Sequence, residues 1–365
     1  MLTDNGIKLS LHGANDTPIW GMSNAVRVER LANKLTAKVD GTIWANLAYV
    51  FDPQWMRYIA EHPGLILTMD GTPVLANART EAELHALGKL NTPTGAQVME
   101  YRGGPQIHNH ELRKLDTPFV RVLDPATVKD IERQSYFGAY KGVTDILTKY
   151  LWPELALVLT RFAARIGMTP NMVTSIGAIG CIAAIFLFYY GFFWSGMAAG
   201  FVFMVLDTVD GKLARCTITS SYWGNIFDHG IDLVHPPFWW VAWAFGLGTI
   251  GLALPEEQFR LVLVVIVGGY VLQRIIEGIF LRTFGQHIHV WRPIDSWFRL
   301  ITARRNPNMV LLFVSMVFGR PDIGLIAVAW WTLISLGVHM VQLLQAMKVR
   351  MQGGEIVSWL EREKG

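Results

Sequence analysis

The chain has 365 residues, of which 52% are hydrophobic and 17% are charged, and its formal net charge is only +3. So small a charge gives no support to nucleic-acid binding, and two cysteines, Cys181 and Cys216, cannot build a disulfide framework. The apolar excess is uneven, because residues 1–140 have the composition of a soluble domain and most of the rest is typical of membrane-embedded helices.

Residues 1–140 contain predicted helices and strands in alternation, and the first ten residues, MLTDNGIKLS, lack the apolar stretch of a secretory signal peptide. Helices are predicted at 25–37, 53–61 and 81–90, and strands at 42–51, 64–69 and 73–76. Asp70-Gly71 is a typical turn between two such strands. The alternation predicts a soluble α/β domain that stays in the cytoplasm.

A junction at residues 141–168 follows a short predicted helix at 126–134. Leu155, Val158 and Phe162 recur at helical spacing, with basic and aromatic residues between them, and Pro153 is expected to interrupt the helix. This composition favours an amphipathic helix at the membrane interface, with a soluble linker helix as the alternative.

The region 169–350 is predicted to contain six transmembrane helices, and a tail of residues 351–365 follows. The spans are expected at about 171–190, 195–214, 224–246, 260–282, 308–319 and 323–345. The fifth is too short to cross alone, so its helix is expected to begin earlier, within 295–305. In the fourth span, Arg274 and Glu277 are three apart and are expected to pair.

The positive charges of the loops predict the orientation. Lysine and arginine residues are concentrated after the second, fourth and sixth spans, whereas the opposite loops carry little net positive charge. The positive-inside rule then places both termini, and the segment between the second and third spans, on the cytoplasmic side of the plasma (inner) membrane.

The second and third spans carry four acids within a very hydrophobic region, and charged side chains there usually have a function. Asp207 and Asp210 are three apart, and Asp228 and Asp232 are four apart, so each pair shares a helix face. If the helices are neighbours, the four acids converge and need a cation between them. Such a site suits a hard divalent ion and phosphoryl transfer from a diphosphate.

These acids belong to a longer pattern, which resembles the signature of the CDP-alcohol phosphotransferase family at every position. The pattern is Asp207-x2-Asp210-Gly211-x2-Ala214-Arg215-x8-Gly224-x3-Asp228-x3-Asp232. The resemblance implies a membrane enzyme that transfers a phosphoalcohol, of phosphatidyl or phosphoinositol type, from a CDP-alcohol to an acceptor hydroxyl. CMP would be released, in phospholipid or inositol-phosphate biosynthesis, and a homodimer is expected.

The resemblance also implies roles for individual residues. Asp207, Asp210 and Asp228 would bind one or two Mg²⁺ or Mn²⁺ ions, and Asp232 would be the general base. Contacts with the CDP moiety are expected from Asp207, Gly211, Ala214, Arg215, Asn171 and Thr174. Asn171 and Thr174 come from the run Thr169-Pro-Asn-x-x-Thr174, which family members share; they are equally suited to a role at the helix start.

Arg304 and Arg305 stand out in the main basic segment, which precedes the fifth span. A guanidinium group binds phosphate with two parallel hydrogen bonds, so these arginines are candidates for binding an acceptor or donor phosphate. Anchoring at the membrane interface is an equally good interpretation.

The N-terminal domain resembles the nucleotidyltransferase domain that is fused to the phosphotransferase in inositol-phosphate cytidylyltransferase proteins. The likeness covers Trp20 to Arg30 and Leu47 to Pro53. A Gly-rich phosphate loop is missing, and Ala48 stands where the family has a metal-binding aspartate, so a degenerate domain is expected. The fusion favours an inositol-phosphate type of substrate.

Two other classes of protein would also place acids in a helical membrane domain. An Asp-rich membrane prenyltransferase uses carboxylates and Mg²⁺ on a diphosphate, but it does not require Gly211, Ala214 and Arg215 at these spacings. An ion transporter could hold acids in a pore and would release no CMP.

Overall fold

The computed structural model describes residues 1–36, 39–102, 104–109 and 112–362. These residues divide into two compact units, each with its own internal contacts. The first unit consists of residues 1–140, 160–169 and 212–220. The remainder of the described chain forms the second unit.

Residues 1–140 of the first unit contain nine strands and four helices among those that the structure describes. The strands are β1 (Lys8–His12), β2 (Thr42–Asn46), β3 (Tyr49–Phe51), β4 (Leu65–Met69), β5 (Thr72–Ala78), β6 (Gln97–Glu100), β7 (Ile107–Asn109), β8 (Lys114–Asp116) and β9 (Val120–Val122). The helices are α1 (Asn24–Asn33), α2 (Pro53–Ala60), α3 (Glu81–Gly88) and α4 (Val128–Gly138). The strands form one sheet of order β1-β2-β5-β4-β6 and two pairs, β3 with β9 and β7 with β8.

The turn predicted at Asp70-Gly71 is present, and it joins the antiparallel strands β4 and β5. Asp70 has φ 50° and Gly71 has φ 76°, the left-handed values that the commonest two-residue hairpin turn requires. Aspartate and glycine tolerate these values better than other residues, so the local sequence fixes this hairpin.

Alternating side chains of the sheet enter two separate hydrophobic cores. Ile43 and Ala45 of β2 pack with residues of α1 and α2, while Trp44 packs with Leu87 of α3 on the other face. The helices begin at residues suited to caps: the side chain of Asp52 accepts a hydrogen bond at the start of α2, and Ser23 and Thr80 do so for α1 and α3. The predicted α/β arrangement is confirmed.

After residue 140 the described chain is mainly helical. Its α-helices are α5 (Pro153–Arg165), α6 (Pro170–Tyr189), α7 (Phe193–Cys216), α8 (Tyr222–Thr249), α9 (Glu256–Leu263), α10 (Gly269–Phe284), α11 (Pro293–Arg299), α12 (Arg305–Val317), α13 (Pro321–Met351) and α14 (Trp359–Arg362). Leu147–Leu151 and Val264–Gly268 are π-helical, and Ile288–Val290 is a 3₁₀ turn.

The predicted interface helix appears as Leu147–Leu151 and α5, and the predicted interruption lies at Pro153, where the π-helical segment ends and α5 begins. The apolar residues that define its stripe are exposed: Leu155 by 45%, Val158 by 61% and Phe162 by 59%. Exposed apolar side chains at helical spacing suit contact with lipid, and the interfacial location stays a prediction.

All six predicted spans coincide with helices, but six crossings are not established. In the described part of the chain, three helical stretches are long and apolar enough to cross a membrane: Pro170–Tyr189, Glu256–Phe284 and Pro321–Met351. Helices α7 and α8 carry the four acids, which lower their hydropathy. Helix α12 has 13 residues and is therefore only about 20 Å long, whereas a bilayer core is about 30 Å thick.

The expectation that the fifth helix begins within 295–305 is confirmed, because α12 begins at Arg305, and a separate short helix precedes it. Helix α11 ends at Arg299, and α12 begins only at Arg305. A side chain of α13 holds the chain between them, because the backbone N–H of Ala303 donates to Ser335 Oγ at 3.0 Å.

Aromatic side chains fill the contact between α6 and α8 in the second unit. Phe188 of α6 packs against Trp239 and Trp243 of α8, with ring centroids 5.9 and 5.0 Å apart. Gly246 allows this approach, because a Cβ atom there would lie 1.9 Å from the carbonyl oxygen of Phe188. These contacts hold α8, and with it Asp228 and Asp232, against α6.

Candidate active site

The four acids of the motif lie on two consecutive helices of the second unit, Asp207 and Asp210 on α7 and Asp228 and Asp232 on α8. One carboxylate oxygen each from Asp207, Asp210 and Asp228 lies within 4.8 Å of the other two. Asp210 is buried, and Asp207 and Asp228 are partly buried. The structure thus brings the three predicted metal ligands together.

The chemistry of this donor set fits a hard divalent cation. Three carboxylates at such separations repel one another unless positive charge lies between them. All the donor atoms are oxygens, which Mg²⁺ and Mn²⁺ prefer over the nitrogen and sulfur donors that typify zinc sites. Asp207, Asp210 and Asp228 are therefore the residues that could hold such an ion.

Arg305, at the start of α12, connects the fourth acid to the cluster. Its Nη1 donates to Asp232 Oδ1 at 2.6 Å, and its Nη2 donates to Asp207 Oδ2 at 2.7 Å. The guanidinium carbon lies 4.9 Å from the ring centre of Phe203. Arg305, predicted as a phosphate ligand, thus bridges the predicted base and a predicted metal ligand.

A hydrogen-bonded chain fixes the orientation of Arg305. Its Nε donates to Asn306 Oδ1 at 2.9 Å, and Asn306 Nδ2 donates to Asp145 Oδ1 at 2.9 Å. Burial acts to raise the pKa of Asp145, but the charge of Arg299 and hydrogen bonds from Thr148 and Asn306 outweigh it and hold this pKa below its usual value. The series of hydrogen bonds that begins at Arg305 therefore ends on the ionised carboxylate of Asp145.

Sequence reasoning missed Asp145 and Asn306 as parts of the site. They are separated by 161 positions in the chain, so no local spacing could relate them. Their one signal was the position of Asn306 directly after Arg305.

The predicted CDP contacts on α6 lie beside the carboxylate cluster. Thr174 Oγ1 donates to Asp210 Oδ2 at 2.5 Å. A Cβ atom at Gly224 would lie 2.9 Å from Asn171 Oδ1, so glycine lets the start of α8 approach α6 there. Thr174 thus positions a predicted metal ligand, a contact that its sequence context did not reveal.

The other predicted CDP contacts lie on α7. Gly211 follows Asp210 directly and belongs to the second unit, whereas Ala214 and Arg215 belong to the first unit. Arg215 Nε donates to the carbonyl oxygen of Ala139 at 3.1 Å. Because Ala139 also belongs to the first unit, this hydrogen bond fixes Arg215 within the first unit.

Arg304 belongs to a second buried cluster. Its Nη2 donates to Glu277 Oε2 at 2.5 Å, and the predicted Arg274–Glu277 pair is confirmed at 2.8 Å. His289 lies 3.2 Å from Glu277 and is buried, and burial holds its pKa well below the usual value. Glu277, His289 and His339 could each offer a metal ligand, but two arginines already neutralise the single carboxylate.

Comparison with known proteins relates this site to a family. The sequence model of the CDP-alcohol phosphatidyltransferases matches residues 167–299, which include the four acids. Cholinephosphotransferase 1 of Danio rerio is 31% identical over 128 residues, which are 32% of each chain. Phosphatidylinositol phosphate synthase of Streptomyces avermitilis is 39% identical over 94 residues, which are 24% of this chain and 38% of the relative.

The chain spans about a third of the length of these curated relatives. A solved structure of phosphatidylinositol phosphate synthase from Mycobacterium tuberculosis, with CDP-DAG bound, aligns with 52% of this chain and 94% of its own. Its sequence identity is 17% and the TM-score is 0.39, a value too low to establish a shared fold.

Proposed function

We propose that the protein transfers a phosphoalcohol from a CDP-alcohol to an acceptor hydroxyl and releases CMP, because residues 167–299 match the sequence model of the CDP-alcohol phosphatidyltransferases. The acceptor oxygen forms a bond to the phosphorus of the phosphoalcohol. The bond from this phosphorus to the bridging diphosphate oxygen breaks, and CMP leaves with that oxygen. The observation that carries the proposal is the convergence of Asp207, Asp210 and Asp228.

Asp207, Asp210 and Asp228 would hold one or two divalent ions, Mg²⁺ or Mn²⁺. When bound, such an ion supplies positive charge against the diphosphate of the donor. The hydroxyl of Thr174 holds the carboxylate of Asp210 in place for this task. A ligand oriented by a second side chain loses less freedom when it binds.

Asp232 would accept the proton of the acceptor hydroxyl as the new oxygen–phosphorus bond forms. Its carboxylate is oriented by Arg305, which also contacts Asp207. Because Arg305 donates to both carboxylates, it holds the proton acceptor Asp232 and the metal ligand Asp207 at a constant distance from each other. Asn306 and Asp145 extend this positioning into the segment that precedes α5.

The substrates are expected to contact residues around the cluster. For the CDP moiety these are Asp207, Gly211, Ala214, Arg215, Asn171 and Thr174. Asn171 and Thr174 have support from their places beside Gly224 and Asp210. Arg304 and Arg305 would contact a phosphate of the acceptor or donor, since a guanidinium group matches phosphate geometry.

The donor is of phosphatidyl or phosphoinositol type, and we favour an inositol-phosphate type of substrate. The enzyme would work in a plasma (inner) membrane as a homodimer, with both termini and the active site in the cytoplasm. Three apolar helical stretches support a membrane location, and the loop charges support the orientation.

Release of CMP by the purified full-length protein in detergent tests this function. CDP-diacylglycerol and CDP-inositol are each offered with Mg²⁺ and a panel of inositol phosphates and other alcohols. We expect CMP only when donor, acceptor and metal are all present. In Asp232→Asn the rate should fall about 100-fold or more, the usual contribution of a general base.

Asp130→Asn is the matched control, because Asp130 is an exposed residue of α4 in the first unit. It should retain the wild-type rate. Equal CMP release by wild type and Asp232→Asn would refute the role of Asp232, and release without an acceptor would refute the transfer. Turnover of isoprenoid diphosphates without any CDP-alcohol turnover would instead identify the prenyltransferase.

A further inference from the structure

The first unit contains a cavity that includes none of the four acids. Its volume is about 250 Å³. Residues from α1, α2 and the end of α7 line it, together with Asp52 and parts of the chain around β7 and β9. Ligand pockets are commonly about 300–1,000 Å³, so this cavity has room for a small metabolite rather than for a lipid.

The walls of the cavity are basic. Four cationic side chains line it, namely Arg27, Lys34, Arg57 and Arg215. Asp52 is the one acid among the described lining residues. Burial raises the pKa of Asp52, which weakens its negative charge further. The cavity therefore has an excess of positive charge that would attract an anion.

Two buried polar atoms of the lining have no hydrogen-bond partner among the described residues, Arg27 Nη1 and Gln54 Oε1. Arg27 is only 3% exposed and Gln54 only 7%. The other amino group of Arg27 is engaged, because Nη2 donates to the carbonyl oxygen of Phe51 at 2.8 Å. Buried polar groups are normally paired, so each of these atoms indicates a missing partner.

The two unpaired atoms have opposite requirements. Arg27 Nη1 is a donor, and the pKa of Arg27, although lowered by burial to about 10, keeps the group charged at neutral pH. Gln54 Oε1 is an acceptor and needs a hydroxyl or amino hydrogen. A ligand that satisfies both atoms must carry an acceptor oxygen, preferably anionic, and a hydrogen-bond donor, as a phosphorylated alcohol does.

We propose that this cavity binds a small phosphorylated alcohol, with the phosphate on Arg27 and a hydroxyl on Gln54. Arg57 and Lys34 are exposed and supply further positive charge for the phosphate. The apolar surface of Trp20 and Phe119, which also line the cavity, contacts the carbon skeleton. The site uses none of the four acids, and it shares only Arg215 with the residues that are proposed to contact the donor.

Isothermal titration of the full-length protein in detergent tests this site. The probes are inorganic phosphate, glycerol 3-phosphate and, as an uncharged analogue, glycerol, in a buffer without divalent metal. A phosphatidic acid micelle carries the same phosphomonoester on a lipid. We expect glycerol 3-phosphate to bind more tightly than phosphate and glycerol to show no binding. Stronger binding of phosphatidic acid would identify a lipid headgroup as the source.

Gln54→Glu replaces the side-chain amide by a negatively charged carboxylate of the same size. Because this charge repels the phosphate, glycerol 3-phosphate should bind at least tenfold more weakly. Arg57→Gln, at an exposed position, should weaken it as well. Arg121→Gln is the charge-matched control, since Arg121 is exposed on β9 and does not line the cavity. It should bind like the wild type, and the melting temperatures of all variants show whether each one folds.

The proposal is overturned if no phosphate probe binds to the folded wild-type protein. It is also overturned if Gln54→Glu and Arg57→Gln bind glycerol 3-phosphate as the wild type does. Loss of CMP release in Asp232→Asn with unchanged binding of this probe would show that the two sites are separate.

Discussion

Two partly buried clusters in the second unit combine acids and arginines in opposite proportions. The first joins Asp207, Asp210, Asp228 and Asp232 to one guanidinium, that of Arg305. The second joins the single carboxylate of Glu277 to Arg274 and Arg304. With all groups ionised, the first has a charge of −4 + 1 = −3 and the second −1 + 2 = +1.

This difference shows why groups of potential ligands must be weighed with the cations around them. Both clusters bring three potential ligand atoms within 4.8 Å of one another. Only the aspartate cluster keeps enough negative charge to need a metal ion. The Glu277 cluster is balanced by its arginines and is expected to stabilise the fold, and four substitutions separate these roles.

The largest effect is expected for Glu277→Gln. It leaves Arg274 and Arg304 partly buried without their carboxylate, and the loss of one partner of a fully buried pair, which costs about 3–5 kcal/mol, sets the upper limit of the effect. Thermal unfolding in detergent should show a lower melting temperature. The control Glu256→Gln removes an exposed pair with Arg260 and should cost less than about 1 kcal/mol. An unchanged melting temperature for Glu277→Gln would contradict the claim that the Glu277 cluster stabilises the fold.

Asp228→Asn should come second, with its effect on activity rather than on folding. The amide cannot supply the negative charge that a divalent ion needs, so CMP release should fall about 100-fold or more, or about 2.7 kcal/mol. The rate of CMP release is measured as a function of Mg²⁺ concentration. A weaker affinity for Mg²⁺ raises the Mg²⁺ concentration that gives half-maximal activity. A wild-type metal dependence would remove Asp228 from the metal site.

Thr174→Val should have a smaller effect of the same kind. It keeps the shape of the side chain but removes the hydrogen bond to Asp210, and such contacts behind a ligand are worth about 10-fold in metal affinity. Thr174→Ser keeps the hydroxyl and should behave like the wild type. If valine and serine have equal effects, the hydroxyl does not position Asp210.

Asn306→Ala should have the smallest effect, because it acts on the site only through Arg305. The loss of one hydrogen bond to Arg305 is worth about 0.5–1.5 kcal/mol, so CMP release should fall about three- to tenfold. The pH profile of the rate should also change, since Arg305 contacts Asp232. A lower melting temperature with an unchanged pH profile would mean that Asn306 only stabilises the fold.

The sequence was sufficient for features that depend on local spacing. Asp70-Gly71 predicted the turn between two strands, and the intervals within the motif predicted that its acids share helix faces. The positions of three long apolar helical stretches also followed from their composition. Each of these features depends on residues a few positions apart, where backbone geometry fixes the outcome.

The rest depends on contacts between distant residues. Arg305 was recognised as a candidate ligand, but its hydrogen-bond partners were not. Asp207 and Asp232 lie 98 and 73 residues away from it in the sequence. The segment before α12 depends on α13 in the same way, because Ser335 Oγ accepts a hydrogen bond from the backbone N–H of Ala303. Basic residues at the end of an apolar segment have many partners within reach, and only the packing of the helices selects among them.

The metal dependence of CMP formation tests the central claim most directly. The full-length protein is treated with a chelator, and CMP is measured with a CDP-alcohol donor and an acceptor before and after Mg²⁺ or Mn²⁺ is restored. Activity should vanish with the chelator and return with the metal in wild type and in Asp130→Asn, but not in Asp228→Asn. CMP formation that persists in the chelator, or that Asp228→Asn recovers in full, would contradict a carboxylate-held metal at the site of transfer.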